Sequence, residues 1–219
     1  MMETRKEIFE CLKAARLIYT RGLVNAYEGN VSVRVGNSVW ITPSQVCKED
    51  LTPDDLVEVS LETGEVLSAH NERKPSSEVK LHLCCYRSRD DIGAVAHTHS
   101  PYATSFAVRC EPIETNAYPE MILLYGKAPV CRYGRPSTEA VNADVPEVLK
   151  KYDVFLLANH GVVSVADNAM DAVYRIEGIE SIAKVLHTAR MRGGECALPD
   201  GEAEAIEEIR LQKRGYTGA

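Results

Sequence analysis

Apolar residues recur at three- and four-residue spacing from Thr4 to Gly22, with Ile8, Leu12, Ala15 and Tyr19 on one side. That period predicts a helix with a single buried face, and Gly22 is a suitable C-terminal stop. Farther on the period shortens to two. Val31-Ser-Val-Arg-Val35 and Val39-Trp-Ile-Thr42 flank Gly36-Asn37-Ser38, while Leu56 to Ser60 and Glu65 to Ser68 flank Glu62-Thr-Gly64. Alternation on both sides of a short turn-forming link predicts two hairpins. Ser76 or Ser77 can cap a following helix that runs to about Arg87 and carries Glu78 near its start.

The second half of the chain repeats the theme with more apolar strands. Gly93-Ala-Val-Ala-His-Thr-His99 predicts a short strand, and Ser100-Pro101 then supplies an N-cap and a first-turn proline for a helix to about Val108. Val154 to Leu157 predicts another strand, ending in Ala158-Asn-His-Gly161, with Val162 to Val165 continuing after the glycine. Asn168 can cap a long helix to about Arg192, with Asp171 and Glu177 in the half that the helix dipole favours for acids. Gly201 to Arg214 is also expected to be helical. No repeat, low-complexity tract or linker interrupts residues 1–219, so the mixture predicts one α/β domain with helices flanking a sheet. The tail from about Leu211 has little apolar content to hold it against that domain, and is expected to be mobile or to dock elsewhere.

Composition narrows the classes. A chain of 219 residues can bury roughly 70% of its unfolded surface, so folding needs no staple. The 45% hydrophobic content is dispersed, without the ~18 consecutive apolar residues of a membrane span. The charged start, Met1 to Lys6, lacks the pattern of a secretory signal, and a cytoplasmic location is expected. Seven cysteines without a CxxC pair suit reduced thiols. Twenty-five basic and thirty-two acidic side chains give a net charge of −7. With no basic run or basic-aromatic stripe, a nucleic-acid partner is not expected.

Alternate residues of a strand share a face, so His97 and His99 present two imidazoles in one direction at a strand end. An isolated HxH pair is more often a core or surface feature than a metal site. Here it is joined by Glu78 at a helix start and by His160 at the end of another strand, in the kind of position where sites collect. Three histidines and one carboxylate are a reasonable set for a borderline-soft divalent ion such as zinc, with manganese or cobalt as other occupants. His82 lies one helical turn after Glu78 and could support a ligand, but a packed helix histidine is the more ordinary role, and it stays outside the set. His70 and His187 have no role assigned.

Gly29-Asn-Val-Ser32, Ile41-Thr-Pro-Ser44, Lys74-Pro-Ser-Ser-Glu78, Ala96-His-Thr-His-Ser-Pro-Tyr-Ala-Thr104 and Asn159-His-Gly161 occur in this order over residues 5 to about 190. In these motifs the chain resembles the class II aldolase and adducin family, and most of all its fuculose-phosphate aldolase branch. The resemblance implies a single-domain α/β/α fold with a central, largely antiparallel sheet, a zinc ion and a homotetramer with shared sites. Motif position implies Glu78, His97, His99 and His160 as metal ligands. It also implies reversible cleavage of a ketose 1-phosphate to dihydroxyacetone phosphate and a small aldehyde. Adducin-like interaction modules lack a working metal set, so four retained positions favour an enzyme.

A protein of net charge −7 cannot hold a phosphorylated sugar through its overall field. Local N–H and hydroxyl donors are needed, and Gly29, Asn30, Ser44, Ser76 and Ser77 offer them at positions matching the family's phosphate site. Gln45 departs from the glycine common after the Ser44 position, which makes close backbone approach there less assured. In catalysis Glu78 is expected to move a proton at the reacting carbon. Tyr118, Glu120 and Tyr216 are candidates for the acid on the aldehyde side. Two alternatives keep the metal: an epimerase, disfavoured because aspartate is usual at the Glu78 position, and a methylthioribulose-phosphate dehydratase, in which Glu120 could act.

Overall fold

The computed structural model describes the backbone of residues 2–70 and 72–213, and the side chains from residue 6 onward in that range. Helix α1 (Met2–Thr20) ends as the sequence predicts, with Gly22 and Leu23 donating back to Tyr19 and Ile18 carbonyls. Strands β1 (Asn30–Val35) and β2 (Ser38–Ile41) form the first hairpin, with Val35 opposite Ser38. The second hairpin is β3 (Val57–Ser60) and β4 (Val66–Ser68), irregular at Glu58/Val59. Next come α2 (Val79–Ser88), β5 (Ala94–Thr98) and α3 (Pro101–Val108). Three short elements that no periodicity announced follow: α4 (Pro119–Leu124), β6 (Val130–Cys131) and α5 (Val145–Leu149). The chain continues through β7 (Val154–Leu157), β8 (Gly161–Ala166), α6 (Ala169–Met191) and α7 (Glu202–Lys213).

The strands join one eight-stranded sheet in the order β4-β3-β2-β1-β5-β8-β7-β6. Every pairing is antiparallel except β6 with β7. One face packs on α1, α3 and α6 through residues such as Leu12, Ile18, Val31, Ala96 and Ile176. The other packs on α2 and α5 through Leu81, Tyr86, Val95, Leu149 and Val163. The result is the expected α/β/α sandwich. β5 and β8 are buried along their whole length, which is why their sequences are runs of apolar residues rather than alternations.

Three local expectations need correction. Glu78, not either serine, is the N-cap of α2, and it makes no side-chain capping bond. Ser76 Oγ instead accepts the Glu78 N–H at 3.3 Å, and Ser44 Oγ accepts the Ser77 N–H at 3.2 Å. Ser100 is the N-cap of α3, with Pro101 in the first turn as expected, but its side chain makes no capping bond. The N–H groups of Tyr102 and Ala103 donate to the two carboxylate oxygens of Glu180 on α6, at 2.9 and 2.7 Å, because a charged acceptor at a helix start outcompetes a hydroxyl. Lastly, β8 does not continue β7: the chain reverses through Ala158-Asn-His160, with Asn159 at φ 58°, and the two strands pair as a hairpin. The Asn168 cap of α6 is as expected, its side chain accepting the Asp171 N–H at 2.9 Å.

Candidate metal centre and the cavity around it

Sheet order brings the candidate residues together. β5 lies between β1 and β8, so the end of β5, the start of β1 and the turn before β8 meet at one edge of the sandwich. His97 is directly opposite Asn30 on β1 and Val163 on β8. His160 arrives from the β7–β8 turn, and the three rings of His97, His99 and His160 have centroids 4.7 to 5.0 Å apart. Each offers a nitrogen, and these ligand atoms all lie within 4.8 Å of one another. Gly161 is what permits this closeness: a Cβ there would sit 2.4 Å from Thr98 O and 2.8 Å from His99 Cδ2. Gly29 meets a comparable limit, since a Cβ would fall 2.4 Å from Val24 Cγ1 and 3.0 Å from His97 O.

The protonation pattern suits a cation. His97 Nδ1 donates to the Val162 carbonyl at 3.0 Å, which leaves its Nε2 lone pair facing His99 Nε2 at 3.2 Å. Burial, then the neighbouring His160, His99 and His82, hold the His97 imidazole well below its ordinary range. Burial and His99 take His160 down to about 4. His160 Nδ1 and Glu78 Oε2 are buried without a hydrogen-bond partner. Three converging imidazoles, two of them held neutral, with an orphaned carboxylate oxygen nearby fit a divalent ion.

A family model described as the class II aldolase and adducin N-terminal domain matches residues 9–187. The chain belongs to this family. It is 34% identical over 218 residues to a 5-deoxy-D-ribulose 1-phosphate aldolase of Bacillus thuringiensis serovar kurstaki, covering 98% of this chain and 99% of the relative. It is 33% identical over 184 residues to a 3-oxo-tetronate 4-phosphate decarboxylase of Pectobacterium atrosepticum, covering 81% and 82% of the two. The solved structure of an L-fuculose 1-phosphate aldolase superposes with a TM-score of 0.84 at 30% identity, covering 93% of this chain and 95% of that one. Family membership and the histidine cluster together mark a class II aldolase-type, divalent-metal-dependent enzyme, so the reading as a non-catalytic module falls.

In this class II aldolase-family chain the histidines open into a cavity of about 350 Å³. All five residues expected at the phosphate end, Gly29, Asn30, Ser44, Ser76 and Ser77, line the same cavity, as does Glu78. Glu78 is not part of the mutually close ligand group formed by the histidines. Its Oε1 accepts a bond from Ser137 Oγ at 3.1 Å. Burial pushes the Glu78 carboxyl up, against the opposing pull of the Ser137 bonds and of His99. Gln45 also lines the cavity and holds φ 57°, a left-handed backbone that glycine would adopt more readily. Tyr118 is half-buried at the start of α4 against the α1/α6 side of the core, and Glu120 is exposed beside it. Neither lines the histidine cavity of its own chain, and Tyr216 lies outside the described residues.

Sequence reading missed two participants. Ser137 reaches the cavity from a loop whose turn-forming run, Gly134-Arg-Pro-Ser137, was the available signal. His82, which helical spacing marks as a packing residue, also reaches the site: its Nε2 lies 2.5 Å from Asn30 Oδ1.

Proposed function

We propose that the chain is an aldehyde-lyase that cleaves a ketose 1-phosphate, of the fuculose 1-phosphate kind, reversibly to dihydroxyacetone phosphate and a small aldehyde. The observation that carries this reading is the shared cavity: the histidine cluster, Glu78 and the Asn30, Ser44, Ser76 and Ser77 donors meet in one space of about 350 Å³. That volume suits a small phosphorylated sugar. His97, His99 and His160, with Glu78 as a fourth donor, hold the divalent ion, zinc being the first choice. When bound, that ion supplies Lewis-acid stabilisation of charge on adjacent substrate oxygens. Asn30, Ser44, Ser76 and Ser77, with the backbone at Gly29, bind the phosphate end and so fix which carbon faces Glu78. The Glu78 carboxyl, raised by burial, is poised to move a proton at the reacting carbon. Tyr118, Glu120 and Tyr216 belong to the aldehyde side only if a neighbouring chain brings them there, which is part of the reading as a cytoplasmic homotetramer with shared sites.

The competing reading is decarboxylation, favoured by the 33% identical decarboxylase relative; loss of carbon dioxide and retro-aldol cleavage both leave charge beside a substrate carbonyl. The test is a panel of ketose 1-phosphates and a 3-oxo-tetronate 4-phosphate given to the metal-loaded protein. Triose phosphate release supports the proposal. Carbon dioxide release, or water loss from a methylthioribulose phosphate, would reassign the reaction, and no turnover of any phosphate ester would sink it.

A further inference from the structure

Behind the cavity a line of buried polar side chains crosses from α2 to the start of β1. Tyr86 Oη lies 2.7 Å from Ser32 Oγ, Ser32 Oγ lies 2.7 Å from His82 Nδ1, and His82 Nε2 lies 2.5 Å from Asn30 Oδ1. Tyr86 is 1% exposed, Ser32 and His82 are fully buried, and Asn30 is 5% exposed. So many polar groups would be costly to bury unless each bond were made.

The protons in this line have one consistent direction. Among the described residues Ser32 Oγ is the one side-chain partner of the buried Tyr86 phenol, so the phenol proton goes to Ser32 Oγ, because the opposite direction would leave that proton buried without an acceptor. Ser32 must then donate its only proton to His82 Nδ1. A neutral imidazole carries a single N–H, which is thereby placed on Nε2 and donated to Asn30 Oδ1. Burial takes His82 down to about 3, so it keeps this single proton at any ordinary pH. With Oδ1 engaged, the Asn30 amide group has its Nδ2 left over, for which the described residues provide no acceptor, and Asn30 lines the cavity.

We infer that His82 is a positioning residue: the Tyr86–Ser32–His82 line locks the Asn30 amide with its Nδ2–H donors, not its oxygen, presented to the phosphate of the substrate. This rests on the phosphate end assigned to Asn30 under the proposed function. The physical need is plain, because the two amide orientations are nearly equal in shape. The wrong one would aim a carbonyl oxygen at an anion. A chain with net charge −7 has no general positive field to offset that error.

The test measures inorganic phosphate binding by calorimetry on the zinc-loaded full chain, alongside zinc content. Asn30→Ala should weaken phosphate binding roughly tenfold, the loss of about one charge-assisted hydrogen bond. His82→Leu and Tyr86→Phe should each weaken it by a similar factor while zinc content stays unchanged. The double variant Asn30→Ala/His82→Leu should bind no more weakly than Asn30→Ala alone. His82→Gln, which keeps a donor near Nε2, should restore most of the affinity. Tyr86→Phe, which changes one atom, answers the question if His82→Leu does not fold. Wild-type affinity in both His82→Leu and Tyr86→Phe, with Asn30→Ala weakened, would overturn the role of His82 while leaving the phosphate site intact. Equal weakening in His82→Leu and His82→Gln, or loss of zinc from either, would make His82 a packing residue. Wild-type affinity in Asn30→Ala would remove Asn30 from the phosphate site, and the inference with it.

Discussion

Ser137 donates its hydroxyl proton to Glu78 Oε1 at 3.1 Å from a left-handed backbone, φ 65°. A side chain other than glycine in that region stores strain of roughly 1–2 kcal/mol. The loop retains a conformation suited to glycine but spends it on a residue that can hold the carboxylate. Glu78 thus has one oxygen tethered and the other buried without a partner.

Ser137→Gly should therefore stabilise the fold by about 1 kcal/mol and lower turnover, whereas Ser137→Ala should lower turnover without the gain in stability. Denaturant midpoints and steady-state rates for both variants check this. An unchanged rate in both would leave the Ser137–Glu78 bond without a catalytic effect.

His97→Ala and His160→Ala should each lose the divalent ion while remaining folded. The two faces of the sheet bury a large apolar core independent of the cluster, and removing one of few ligands strongly weakens a metal site. Elemental analysis should find about one ion per chain in the unmodified protein and far less in the variants, with circular dichroism unchanged. Unfolded variants would show the histidines to be structural.

Glu78→Gln should retain much of the metal and lose most of the turnover, because the amide can still coordinate weakly but cannot carry a proton. Single-turnover rates on the metal-loaded variant are the measurement. Rates equal to wild type would take Glu78 out of the proton transfer.

Stability of the metal-free protein should fall as pH is lowered. His82 is held neutral, at about 3, against about 6.5 in the unfolded chain. The unfolded state therefore binds the extra proton between these values. The contribution of His82 is fully present above about pH 6.5 and is lost progressively toward pH 3. His97 and His160 shift in the same direction and steepen the slope. His82→Gln should flatten the dependence of the unfolding free energy on pH across that window. A slope identical to wild type would mean that His82 does not titrate on unfolding.

The shared-site reading predicts about four chains per particle by light scattering. Removing residues 211–219, which include Tyr216, should reduce turnover and leave metal content and assembly largely intact. A fully active monomer, or unchanged kinetics after truncation, would confine the site to one chain.

The sequence by itself determined what local physics controls. The period of α1, the two hairpins, the Asn168 cap and the limits of α3 follow from side-chain spacing and turn residues, and the structure has them where that spacing puts them. So does the common direction of His97 and His99, since it needs only the two-residue repeat of a strand. Helices as short as α4 and α5, and the two-residue β6, leave no period to detect, because packing against neighbours holds them rather than propensity. Contacts between distant segments belonged to the tertiary structure alone. Strand order set Asn30 beside His97. A residue 59 positions away came to hold Glu78, and Glu180 came to accept the Tyr102 and Ala103 N–H groups at the start of α3. His82 shows the same division within one side chain: its helical spacing from Glu78 was legible, but its service to Asn30 depended on β1 lying under α2, a placement fixed by burial of the whole sheet rather than by anything near residue 82.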